Sequence, residues 1–147
     1  MITTRARFLF SGIMMAVLIA GCGKSPKEPA VTSANPSAES VRPEFEKLKG
    51  KWLRSDGDYM IELKALSADG ALEAAYYNPG PIHVGRAKLY KERGFVKVFV
   101  ELQDVNYPGS TYNLIYDAEL DQLRGVYYQA TQQVEYQIAF QRLPPDA

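Results

Sequence analysis

The chain of 147 residues has one cysteine, one histidine and one tryptophan, and its 17 Lys and Arg balance 17 Asp and Glu. Each shortage removes a class of chemistry. One thiol cannot form an internal disulfide, and His83 alone cannot supply a multi-histidine metal site. Zero formal net charge argues against nucleic acid, whose partners usually carry a basic excess to neutralise phosphates. Ser55, Ser67 and Ser110 lack the strained strand-to-helix context of an activated nucleophile. Asp56-Gly57-Asp58 lacks the ligand spacing of a calcium loop and reads as a hairpin turn. The residues therefore point to no catalytic group, no metal and no cofactor, in a chain long enough for about one domain.

What is present begins with an address. Arg5 and Arg7 precede an apolar run, Phe8 to Leu18, too short to cross a bilayer, and small residues follow it. That is the pattern of a signal peptide. Ile19-Ala20-Gly21-Cys22 then resembles the bacterial lipobox, in which the cysteine is acylated and the chain is cut before it. The resemblance implies that residues 1–21 are removed and that Cys22 carries lipid, palmitate included; an ordinary cleaved signal or a retained anchor are the alternatives. Several acyl chains hold a protein to a membrane far more firmly than one. Gly23 stands where an inner-membrane retention signal usually has Asp, so resemblance to sorted lipoproteins implies the outer membrane, facing the periplasm. Loss of Arg5 and Arg7 leaves 15 basic against 17 acidic groups, a net charge of −2.

Residues 22–43 hold four of the nine prolines with Ser and Ala, and almost nothing that could build a core. This segment reads as a disordered linker, on the order of 25 Å in root-mean-square span. The domain, residues 44–147, contains all ten tyrosines. Only Pro43 to Leu48 suggests helix, as one short turn with proline at its start. Thereafter short β-branched and aromatic runs are broken by Asp56-Gly57, Asp69-Gly70, Asn78 to Gly80, Arg93-Gly94, Asn106 to Gly109, Asp117 to Asp121 and Ala130-Thr131. These seven breaks predict eight strands. Alternation gives each strand one apolar face, most clearly in Val134, Tyr136, Ile138 and Phe140 against Glu135, Gln137 and Gln141. An all-β, antiparallel up-and-down barrel follows, because closure removes exposed edges; a two-sheet sandwich is the alternative.

Gly50-Lys51-Trp52 opens the first strand, and Arg142 ends the last on the parity of its apolar face. This resembles the calycin pattern of lipocalins, avidins and fatty-acid-binding proteins. There a Gly-x-Trp tryptophan closes one end of the barrel and a basic side chain from the final strand stacks across it. The resemblance makes Gly50, Trp52 and Arg142 barrel-closing residues. The stretch from Gly50 through Ala71-Leu72 and Tyr76 is also similar to the opening hairpins of avidins. Avidin-type biotin sites use several tryptophans, so biotin is not implied. Tyr77 to Val84 and Val105 to Tyr112 resemble loop signatures of a bacterial protein family and bring no activity with them.

A barrel of this size is either filled by side chains or holds one small ligand, and the sequence leaves both open. Tyr59, Tyr76, Tyr112, Tyr116, Tyr127 and Tyr136 lie on the inward parity and are candidate ligand contacts. The fourth strand has two readings. One turns Gly85, Ala87 and Leu89 inward; the other continues from Ile82 and Val84 and turns Arg86 inward, toward an anionic ligand, at the cost of burying an unpaired charge. A protein partner is the other class: Asn106, Tyr107 and Pro108 form a turn that could enter an enzyme cleft, with Tyr107 as anchor, as in periplasmic inhibitors. The sequence thus predicts a non-catalytic envelope protein that binds the membrane through lipid and takes a small hydrophobic or amphipathic ligand, with the inhibitor-like and purely structural readings behind it.

Overall fold

The computed structural model describes residues 36–145. Cys22 and the signal peptide, together with residues 22–35 of the linker, lie outside the described residues. Helix α1 spans Pro36–Leu48, longer than the single turn expected from Pro43. Its reason is a face that the proline-rich composition hides: Val41, Phe45 and Leu48 recur at helical spacing and all three are buried. Glu39 in the first turn and Lys47 in the last suit the helix dipole. Residues 36–43 are therefore helix and not spacer.

Nine strands follow: β1 (Gly50–Arg54), β2 (Met60–Leu66), β3 (Leu72–Asn78), β4 (Gly80–Ile82), β5 (Val84–Glu92), β6 (Phe95–Asp104), β7 (Tyr107–Asp117), β8 (Gln122–Gln129) and β9 (Val134–Arg142). All pair antiparallel in one sheet ordered β4-β3-β2-β1-β9-β8-β7-β6-β5. The first and last strands of a simple meander thus meet, with Trp52 opposite Arg142 and Arg54 opposite Phe140. Between β3 and β5 a single bridge, Ala71 to Lys88, nearly closes the ring. The sheet is an antiparallel, barrel-like ring rather than a two-sheet sandwich.

The count is nine and not eight because the run from Gly80 to Glu92 divides at His83. Before it, Ile82 pairs with Tyr76 of β3; after it, Val84 pairs with Leu102 of β6. The His83 N–H donates to Asp104 Oδ2 at 3.1 Å and its carbonyl accepts from the Gln103 N–H at 2.9 Å, so the break costs no backbone partner. The register then shifts between Val84 and Arg86. That extra residue, Gly85, resets the parity: Ile82 and Val84 pack on the core before it, and Ala87 and Leu89 are buried after it. Both apolar sets of the fourth strand face inward. Arg86 does not: it is more than half exposed, pairs with Glu101 at 2.7 Å and lies over Phe99, which contradicts its inward reading and the anionic site built on it.

In an up-and-down ring alternate turns gather at one end. Helix α1 packs on β2 and β5 beside the turns at 67–70 and 93–94, where Arg42 reaches the Leu66 carbonyl and Glu44 pairs with Lys91. That end is covered. At the other end stand the turns at 55–59, 79, 105–106 and 130–133, and none of the described elements crosses it.

Candidate functional site

The covered end is built around Trp52, which is fully buried. Its Nε1–H donates to the Leu48 carbonyl at 2.9 Å, one of the last carbonyls of α1 that has no helical partner. Arg142 lies across the indole, its guanidinium carbon 4.2 Å from the ring centre. The same guanidinium donates to the Lys47 carbonyl at 2.7 Å and to both Asp121 oxygens at 2.7 and 2.8 Å. Gly50, at φ +127, lets the chain leave the helix into β1 directly beneath it. Tyr116 belongs here: its ring meets Trp52 edge-on at 6.2 Å and its hydroxyl donates to Asp121 at 3.0 Å. The donors of Trp52, Arg142 and Tyr116 thus converge on acceptors within the fold and tie α1, β1, β9 and the turn at Asp121 together.

The open end is different. The register aligns Tyr112 of β7 with Tyr127 of β8, and Tyr127 with Tyr136 of β9. Their rings follow one another at 4.6 Å and 6.2 Å, nearly parallel in both steps. Tyr76 of β3 adds a ring 5.5 Å from Tyr112, and Tyr107 meets Tyr76 edge-on at 6.1 Å. The row begins in the core, where Tyr76 and Tyr112 are buried above Phe140, and ends in solvent at Tyr136, which is 40% exposed. Tyr76, Tyr112 and Phe140 thus fill the core behind the mouth, and Tyr136 is the exposed end of the row.

Arg54 sits in that mouth. It follows Trp52 on the same side of β1, a parity that turns it inward, and this is the signal by which the sequence could have found it. Its side chain is only 10% exposed, whereas that of its partner Asp56 on the following turn is 54% exposed. Nε and Nη2 donate to the two Asp56 oxygens at 2.5 and 2.8 Å, and Nη1 donates to the Tyr112 hydroxyl at 3.3 Å. The guanidinium carbon lies 4.2 Å from the Tyr59 ring centre and 5.7 Å from that of Tyr127. Burial works against the charge, but the hydrogen bonds to Asp56 and Tyr112 outweigh it and hold Arg54 above the ordinary arginine range. Burial pushes the Tyr112 phenol up to about 12 and drives Tyr76 higher still, so both are neutral at physiological pH. Asp56 is held below the usual carboxylate range by its hydrogen bonds from Arg54.

The structure thus brings Tyr59, Tyr76, Tyr112, Tyr127 and Tyr136 to one end and leaves Tyr116 at the other. The turn at 105–106 offers a different side chain from the one expected. Tyr107 is folded inward, its ring on Tyr76 and its hydroxyl accepting from Asn78 Nδ2, while Val105 projects with 90% of its surface exposed. Asn106 and Pro108 are exposed beside it. Among the described residues no three His, Cys, Asp or Glu side chains gather to hold a metal ion. No protein-family model, no curated protein and no solved structure matches the chain.

Proposed function

We propose that this chain is a lipid-anchored, non-catalytic binding protein of the cell envelope, facing the periplasm from the outer membrane, whose ligand site is the tyrosine-lined mouth. The observation that carries the ligand reading is the row of stacked rings from Tyr112 to Tyr136 ending in solvent beside a nearly buried Arg54. Such a surface offers flat apolar faces and a fixed charge side by side, which suits a small amphipathic molecule. The filled interior supports a ligand held at the mouth rather than swallowed. The anchoring reading rests on Cys22 in its lipobox-like setting. We further read the ring as a calycin-type barrel in which β4 and β5 are two halves of one strand; the Arg142 guanidinium over Trp52 supports this.

Native mass spectrometry on the full-length protein extracted from its own envelope tests both parts. Expected are a mass increase located at Cys22 and a small molecule released on denaturation. Tyr136→Ala removes a half-exposed ring and should leave the protein folded but without its passenger. An unmodified Cys22 in a soluble fraction would sink the anchoring. A mouth that comes out empty, with an envelope enzyme bound through Val105, Asn106 and Pro108, would favour the protein-binding reading, for which the exposed Val105 is the supporting observation.

A further inference from the structure

Resting on the mouth as a ligand site, we infer that it takes its ligand by a carboxylate, which replaces Asp56 on the Arg54 guanidinium while an apolar body lies against the exposed ring of Tyr136. Hydrogen-bond donors remain unused at the mouth. Arg54 has five N–H donors; Asp56 takes two and the Tyr112 hydroxyl one, which leaves two. The Tyr112 oxygen already accepts from Arg54, and the hydroxyls of Tyr76 and Tyr112 share one hydrogen bond of 2.9 Å. One of those two phenol protons is thus left without an acceptor among the described residues. Tyr107 accepts from Asn78, so its proton too remains available. These remaining N–H and O–H groups all donate, and an ionised carboxylate, an acceptor only, can answer them without bringing a donor of its own.

A cation is excluded by the same geometry. The faces of Tyr59 and Tyr127 that would attract it are already taken by Arg54. A neutral amide or sugar brings N–H or O–H donors of its own and no charge to meet the guanidinium.

Asp56 is built to leave. It holds the side-on fork of Arg54 from two residues away, on the turn after β1, and more than half of its side chain is in water. An incoming carboxylate meets the same fork with the same two-point geometry. It adds what Asp56 lacks, an apolar body to cover the exposed ring of Tyr136. Asp56 then acts as an internal competitor that keeps the buried guanidinium paired in the empty protein, where an unpaired charge would be costly.

The test compares naphthalene-2-carboxylate with naphthalene-2-carboxamide, equal in ring and unequal in charge, by calorimetric titration of the full-length protein. The wild-type protein should prefer the carboxylate. Asp56→Asn should tighten the carboxylate about fivefold, the effect of removing one solvent-exposed ion-pair competitor, and leave the carboxamide unchanged. Arg54→Lys keeps the charge but loses the fork, and should abolish the preference. Equal binding of both probes by wild type and Asp56→Asn, or a weaker carboxylate in Asp56→Asn, overturns the carboxylate subsite and leaves the aromatic mouth standing. Failure of both probes to bind any of the three proteins overturns the subsite and the mouth together.

Discussion

Arg142 is the residue through which three parts of the chain meet. Its guanidinium joins the end of α1, the indole of Trp52 and the turn carrying Asp121. Hydrogen bonds from Arg142, against the effect of burial, hold the Asp121 carboxyl below the usual carboxylate range. A carboxylate with a depressed native pKa stabilises the fold above its unfolded value of about 3.9, and the contribution is lost as pH falls through the lower native value. Asp121→Asn is a fair probe because Asp121 stands at φ +47, a left-handed conformation that asparagine also tolerates. At pH 7 the variant should unfold at lower urea than the wild type. Once the pH has fallen below the lowered native value, where Asp121 is neutral in both states, the two midpoints should converge. A gap that stays constant across this range would mean that the contact works through shape and not through charge. Asp121 is about half exposed, so the effect is a modest one.

Elements were legible where one periodicity held and obscure where it changed. Strands β8 and β9 read directly from alternation, whereas β7 begins at Tyr107, inside the break expected at 106–109, because an extra residue at Gly109 shifts its register against β6. The extra residue at Gly85 produced two readings of one strand, each true of its own half, and only the register could join them. Helix α1 was underread because Pro36 and Pro43 give it the composition of a spacer, although Val41, Phe45 and Leu48 already stood at helical spacing. The site was half legible: parity gathers the tyrosines, but an inward arginine is expected only with a partner, and that partner, Asp56, lies beyond the strand on the following turn. Glycine carries a second element-scale constraint. A Cβ on Gly125 of β8 would stand 2.0 Å from the Asn113 carbonyl oxygen and 3.0 Å from the Leu114 Cα, both backbone atoms of β7. Neither can move without parting the strands, so Gly125→Ala should cost about 1–3 kcal/mol in a urea titration. Gly80→Ala, where a Cβ meets nothing within 4 Å, should be nearly neutral and serves as the control. Equal costs at the two positions would show that the close approach of β7 and β8 is not what fixes glycine at 125.

At the scale of the whole molecule the decisive contact is between the first strand and the last. β1 pairs with β2 on one side and β9 on the other, so the ring is joined across nearly the full length of the described chain. Neither the β2–β3 nor the β5–β6 hairpin can be peeled away at the covered end without breaking the packing of α1. Such closure favours a single cooperative transition. The chain carries its own reporters for a test, because its one tryptophan lies at the covered end, while the stacked Tyr112, Tyr127 and Tyr136 lie at the open one. In urea, Trp52 fluorescence and the near-ultraviolet circular dichroism of the tyrosine row should lose their native signals at the same denaturant concentration. A ligand held at the mouth stabilises only the folded state and should move both midpoints upward together, although it touches only one end. Earlier loss of the tyrosine signal would instead make the mouth a separately melting unit. Ligand would then shift that first transition and leave the tryptophan's where it was.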